Sequence, residues 1–282
     1  MDDGVSGRTS DGTDVGVSDD DVDRTDRTLE ALGLARAPRE APLTYPGAWP
    51  AESGLLVGDR LLPLDDHATF TDRTPVLAIG SNACPGQLRH KMAEFGIDSP
   101  VPMVKVRVIG IDVGVSAHVS RVGYVSASPV NAPGVVRELF VTWFDARQLA
   151  VVDVSEVAYD RAWLPGSAFR VEPGSGQLLR GAYVYVNRHG VLHDGTGVPR
   201  RHPGERTLLT ELLRDSAELR TLFGRTPEEF CERARSDREL CERGTRLFRE
   251  EGLVTTSGLE RYVRPQQTGS PGIGSSLSPP LM

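Results

Sequence analysis

Between residues 75 and 194 the chain is a series of short apolar runs cut by glycine and proline: PVLAI, VPMVKVRVIGI, GYVSAS, VVRELFVTWF, SAFRVE, GAYVYVN and GVLH. Their enrichment in Val, Ile, Tyr, Phe and Trp is the signature of strands. The runs lie too close together for a regular βαβ array, which predicts a mixed, mostly antiparallel sheet or a small barrel. Two helices interrupt it. The first covers residues 85 to 95, with Leu88, Met92 and Phe95 on one face and Gly96 as its stop. The second follows Asp145, with Gln148 at the capping-box position and Leu149 and Val152 facing inward. After Val198 the period becomes helical. ERTLLTELLRDSAELRTLFG sets Leu208, Leu209, Leu212, Leu213, Leu219, Leu222 and Phe223 on one broad face that ends at Gly224. Thr226-Pro227-Glu228-Glu229 is a capping box with proline at the first helical position, and Ser236 with Glu239 opens a further helix ending at Gly252.

These patterns divide the chain into five parts. Residues 1–40 are expected to form a disordered acidic tail, rich in Asp, Gly, Ser and Thr with little to bury. Residues 41–74 alternate turn residues with GLLV and RLLPL and are expected as a lead-in that packs on the domain without forming its core. Residues 75–195 form the core, residues 196–264 a helical extension attached to it, and residues 265–282 a second disordered tail rich in Gly, Ser and Pro. The fold class is α+β.

Charge and composition exclude several partners. The net charge of −7 arises in the first thirty residues, with ten acids against three bases, and the rest of the chain balances at 29 of each. No basic face is implied, so no nucleic acid is expected as a partner. No apolar run approaches membrane-spanning length and the N-terminus lacks an apolar stretch of signal-peptide type, so no membrane association is expected. Cys84, Cys231 and Cys241 have neither metal nor disulfide spacing, which fits a reducing, cytoplasmic setting. His118, His189, His193 and His202 lack ligand-like spacing, so no metal is expected.

The chemistry concentrates in PVLAIGSNACPGQL, residues 75 to 88. A strand that turns through Gly-Ser-Asn into a helix opening with Pro85 can present orphan N–H groups to a carboxylate or phosphate. The same residues also make an ordinary strand-to-helix turn in which Asn82 or Cys84 merely caps the helix. There is no GxGxxG and no Walker lysine, so a nucleotide site is excluded. Cys84 beside a helix N-terminus is either a nucleophile of lowered pKa or an inert packed thiol. Tyr124, Tyr159 and Trp163 either line a pocket or fill the core.

Strand-Gly-Ser-Asn-helix followed by Gln-Leu resembles the loop signature of the gamma-glutamylcyclotransferase family. Two later stretches resemble that family in order and spacing: GYVSASPVNAPGVVRELFVTWF, with Pro129 and Gly134, and QLAVVDVSEVAYD. The resemblance covers residues 76 to about 186. It implies a small mixed β-barrel of gamma-glutamylcyclotransferase-like type, here carrying the C-terminal helical extension. It implies that Gly80, Ser81, Asn82 and Ala83 hold the carboxylate-bearing end of a small-molecule gamma-glutamyl substrate. It aligns the family's catalytic glutamate with Glu156 and the preceding aspartate with Asp153. The implied reaction is attack of the substrate's own α-amine on its γ-amide carbonyl, giving 5-oxoproline and a free amine without metal or cofactor. Two positions depart from the family: its tyrosine before the loop is Ile79, and the glycine after its glutamate is Val157. Those departures favour a second reading, a ligand-binding protein of the same fold without turnover. A third is a cysteine amidase acting through Cys84. Taken without the family pattern, Glu156 reads as an exposed helix-end carboxylate paired with Arg161, and Asp153 as a capping or orienting group.

Overall fold

The computed structural model describes residues 27–64, 70–174, 176 and 178–263. The described chain forms β1 (Gly54–Val57), β2 (Arg60–Pro63), β3 (Thr74–Ala78), α1 (Pro85–Glu94), β4 (Val101–Val119), β5 (Val125–Phe144), α2 (Ala146–Ser155), β6 (Tyr159–Pro165), β7 (Arg170–Pro173), β8 (Gly181–Asn187) and β9 (Val191–Leu192). Four helices follow, α3 (Glu205–Asp215), α4 (Ala217–Phe223), α5 (Pro227–Ser236) and α6 (Arg238–Glu250), and then β10 (Val254–Thr255).

The architecture is mixed α+β around one large sheet. The expected closure into a small barrel does not occur. The sheet is open and runs β10-β9-β4-β5-β3-β8-β6, with β1, β2 and β7 off this path. The reason lies in β4, which gives one edge to β5 and spends the other piecemeal. Val101 to Met103 pair with β1, Val106 to Ile109 with β7, and Ser116 with β9. No continuous edge of β4 is left for β6 to close on, as a barrel requires. β6 pairs with β8 and on its other side meets only an isolated bridge between Ala162 and Val263.

The β4–β5 ribbon joins runs that the sequence separates. Ile109 opposes Val136 while Gly110 opposes Ala132, so Pro133, Gly134 and Val135 bulge out of one continuous strand. Gly110 sits at this step with φ +98°, a conformation that favours glycine and bends the ribbon. Asp145 then caps α2 as a full capping box: its side chain accepts the Gln148 N–H (2.8 Å) and Gln148 Oε1 accepts the Asp145 N–H (3.1 Å). Gln148 Nε2 donates to the Ser99 carbonyl at 2.8 Å, tying the start of α2 to the segment before β4.

Both flanking segments differ from their expected roles. Of the tail expected over residues 1–40, residues 1–26 lie outside the described residues, as do residues 264–282. Leu29 and Leu34, however, are buried in one core with Val76, Ala78, Leu88 and Phe144, and the lead-in adds Leu56 and Leu61. The lead-in also buries Tyr45 in a second core with Leu77, Ile79 and Tyr124. The runs TLEALGLA, GLLV and RLLPL are too short to show a sustained helical or alternating period, which is why their burial is not readable from pattern alone. Nor are the helices an appendage. Phe223, Phe230 and Phe248 share a third core with Val115, Val119 and Val125 at the far end of the ribbon. The long helix expected over residues 205 to 224 breaks at Ser216, whose side chain caps α4 by accepting the Leu219 N–H. Asp237, not Ser236, caps α6. Among the described residues no helix is long and apolar enough to cross a membrane.

Candidate active site

β3 is buried on both faces, sending Val76 and Ala78 into one core and Leu77 into the other, where Ile79, just past the strand, joins it. The chain leaves it at Gly80, where a Cβ would stand 2.1 Å from Tyr45 Oη. Glycine here is a requirement of close approach. A 3₁₀ turn, Ser81–Ala83, follows, closed by Ala83 N–H to the Gly80 carbonyl and Cys84 N–H to the Ser81 carbonyl, both 3.0 Å. The N–H groups of Gly80, Ser81 and Asn82 make no hydrogen bond within the described residues. Successive N–H groups left free in this way form a nest for an anion.

The start of α1 is used differently from expectation. Gly86 N–H donates to the Leu34 carbonyl at 3.1 Å, and a Cβ on Gly86 would meet Ala35 O at 2.4 Å. The backbone at Leu34 and Ala35, from the segment expected as a tail, therefore covers the helix N-terminus, and the open donors are those of the loop. Ala83, expected beside them as a binding residue, is fully buried in the core. Its N–H is already used.

Glu156 arrives from the far side. It is the C-cap of α2, after Val151 and Val152 have anchored that helix in the core. Its Oε1 accepts from Asn82 Nδ2 at 3.1 Å and from Lys91 Nζ at 3.1 Å, while Lys91 Nζ also donates to Asn82 Oδ1 at 2.9 Å. This closed triangle fixes the Asn82 amide, because only one orientation gives the ammonium an acceptor and the carboxylate a donor. Oε2 accepts no hydrogen bond from the described residues. The pair is secluded, with the Lys91 side chain 8% and that of Glu156 17% exposed. A carboxylate at a helix C-terminus faces the negative end of the dipole, an unfavourable place that the Lys91 ammonium offsets. Arg161, expected as the partner of a surface Glu156, instead binds Asp153 at 3.0 Å, and Asp153 also accepts from Tyr185 Oη at 2.6 Å. Asp153 thus orients Tyr185 and does not touch Glu156.

The loop, Lys91 and Glu156 line one cavity of about 610 Å³. Tyrosines form much of its wall. Tyr45 and Tyr124 stack at 4.4 Å, and Tyr45 Oη accepts the Ala127 N–H at 2.8 Å. Tyr159 Oη donates to the Ala127 carbonyl at 2.9 Å and shares a 2.6 Å bond with Ser126 Oγ. Burial pushes all three phenols up, Tyr159 to about 12, so they remain neutral. Ile79 offers no hydroxyl at the strand end, and the Tyr45 hydroxyl reaches over Gly80 from the lead-in. Val157 is 63% exposed at the cavity lip, away from the core. Trp163 meets Tyr183 edge to face elsewhere and does not line the cavity.

The cysteine hypothesis fails on geometry. Cys84 is fully buried, its thiol donates to the Arg36 carbonyl at 3.6 Å, and burial pushes its pKa up, the reverse of an activated nucleophile. Among the described residues no three His, Cys, Asp or Glu side chains gather as metal ligands. His118 stacks on His189 at 5.2 Å, and His202 and His193 each bond a backbone carbonyl.

Sequence reading missed Tyr45 and Lys91. A signal for Lys91 was present: the chain has thirty arginines and two lysines, so each lysine marks a place where a guanidinium was not used. No protein-family model matches the chain, and no curated protein matches its sequence.

Proposed function

We propose that the chain has the chemistry of a gamma-glutamylcyclotransferase, a cytoplasmic enzyme that converts a gamma-glutamyl amide or peptide into 5-oxoproline and a free amine. The observation that carries this reading is the triangle of Asn82, Lys91 and Glu156 beside three unpaired loop N–H groups. The loop donors suit the substrate α-carboxylate, and Glu156 Oε2 is the one carboxylate oxygen left for proton transfer. The substrate's α-ammonium gives a proton to Glu156, and the neutral amine attacks the γ-carbonyl carbon, forming the ring C–N bond. Glu156 delivers its proton to the amide nitrogen as the old C–N bond breaks. The ring nitrogen's surplus proton passes to solvent, from which the freed amine takes one. Folding the substrate so that amine and carbonyl meet supplies rate through orientation, and the reaction asks for no metal or cofactor. Lys91 is a positioning residue that occupies Oε1 and holds the carboxylate in place.

A second reading, a binding protein without turnover, draws on the same ion pair, since a carboxylate held by an ammonium and an amide also serves as a fixed acceptor for a ligand's ammonium group. One experiment separates the two. The protein is incubated with gamma-glutamyl amines and dipeptides, and 5-oxoproline is measured. Its release supports the cyclotransferase; binding without product supports the second reading; free glutamate as the product overturns the proposed reaction.

A further inference from the structure

The charges lining the cavity do not balance. Arg39, Lys91, Arg121 and Arg235 line it, against Glu94 and Glu156. Arg39 is paired with Glu94 at 2.8 Å, and Lys91 with Glu156 at 3.1 Å. Arg121 and Arg235, both exposed, form no ion pair or hydrogen bond with the described residues, so neither of these cavity-lining arginines has a partnered charge.

Their proximity is built into the fold. Arg121 lies in the turn between β4 and β5. Arg235 comes from α5, whose packing on that turn lays the arginine's stem over Gly123: a Cβ there would meet Arg235 Cγ at 3.0 Å. Gly123 has φ +97°. A larger residue would thus be strained in the turn and would push the stem away. Two guanidinium groups without counter-charges, brought to one turn by this packing, are a site for an anion.

We propose that Arg121 and Arg235 form a second anion subsite, which holds a carboxylate or phosphate carried by the leaving amine of the substrate. This rests on the cyclotransferase reading, in which the first carboxylate occupies the Gly80 to Asn82 loop. It makes the helical layer part of substrate selection, because Arg235 belongs to α5. Amines bearing an acidic group are then the preferred leaving groups, over alkylamines and polyamines.

The test compares gamma-glutamylglycine with its neutral counterpart gamma-glutamylglycinamide, and adds gamma-glutamyl phosphoethanolamine to distinguish phosphate from carboxylate. The native chain should favour the charged substrates in kcat/KM by roughly tenfold or more, a preference that salt weakens. In R121Q/R235Q the ratio should fall to about one. Equal rates on charged and neutral amides in the native chain, or a preference that survives the double substitution, overturn the subsite. A separate titration with inorganic phosphate distinguishes its failure from failure of the reaction. If no amide yields 5-oxoproline but phosphate binding weakens roughly tenfold in R121Q/R235Q, the subsite stands and the cyclotransferase reading falls. Phosphate binding unchanged by the substitutions overturns the subsite.

Discussion

Sixty-five residues apart in sequence, Lys91 and Glu156 meet at 3.1 Å, with Asn82 hydrogen-bonded to both. The contact joins the helix that follows the loop to the end of the helix that follows β5. It leaves Glu156 with one oxygen held and one free. If that free oxygen shuttles the proton, Glu156→Gln should lower turnover by roughly 10²–10⁴, the usual worth of a general acid–base group. KM should change little, since the carboxylate anchor lies in the loop. Asn82→Ala keeps the loop N–H groups but takes a donor from Glu156 and an acceptor from Lys91, so it should lower kcat more than it raises KM. Steady-state kinetics on any gamma-glutamyl amide turned over by the native chain checks both. A Glu156→Gln variant of unchanged kcat would remove Glu156 from the reaction.

Removing the cation instead strands the carboxylate. Lys91→Met leaves Glu156 at the negative end of α2 with only the Asn82 amide for a partner, and should destabilise the fold by about 3 kcal/mol, as for breaking a secluded ion pair from one side. Lys91→Met combined with Glu156→Gln should recover part of that loss, because no uncompensated charge remains. Urea unfolding of the two singles and the double gives the coupling directly. Strictly additive losses would mean that the two side chains do not act as a pair in solution.

The parts of this site that could be read in advance are those encoded locally. A strand rich in β-branched residues, a glycine before Ser-Asn, a proline opening a helix and a capping box at Asp145 are signals within a few residues of each other, and each element forms where they place it. The meeting of Asn82 with Glu156 was legible only through an ordered resemblance of three motifs. Tyr45 was not legible at all, since its hydroxyl reaches Gly80 from a lead-in with no periodicity, and an aromatic in such a segment gives no sign of its direction. The barrel was misjudged for a related reason: strand composition predicts strands, but whether β6 closes on β4 depends on which short segments have already taken that edge.

The stacked imidazoles of His118 and His189 make the fold acid-sensitive. Burial, then the neighbouring His189, Arg121 and Arg188, lowers His118 to about 4 from an ordinary value near 6.5. Between those values the unfolded chain binds a proton that the folded chain refuses, so stability falls as pH drops from 6.5 to 4 and is fully retained above 6.5. The contribution is about 3 kcal/mol. His189, lowered by burial and by Arg249 and Arg188, acts in the same direction. Burial raises Glu205 and acts the opposite way, but that effect is common to native and substituted chains. Urea midpoints at pH 7 and pH 4.5 should differ less in His118→Gln than in the native chain. An identical pH dependence in both would show that His118 takes up its proton in the folded state as readily as in the unfolded one.

Tyr45 and Gly80 should behave as a coupled pair. A methyl group at position 80 would lie 2.1 Å from Tyr45 Oη, nearer than any unstrained contact, so Gly80→Ala must displace either the loop or the tyrosine. Moving the tyrosine would break its bond to the Ala127 N–H and its stack on Tyr124; moving the loop would shift the free N–H groups of Ser81 and Asn82. The expected loss is about 1–3 kcal/mol, the usual effect of overpacking. Tyr45→Phe alone leaves the Ala127 N–H unpaired and should also lose about 1–3 kcal/mol. Combined, the two changes relieve each other, because the clashing hydroxyl is gone and the nearest remaining ring atom, Cζ, would lie 3.1 Å from the new methyl, which a small ring shift accommodates. Thermal and urea unfolding of the four proteins should therefore give a double variant at least about 1 kcal/mol more stable than the sum of the singles implies. Additive losses would mean that something other than the Tyr45 hydroxyl demands glycine at position 80, and the account of how the lead-in shapes the loop would have to be abandoned.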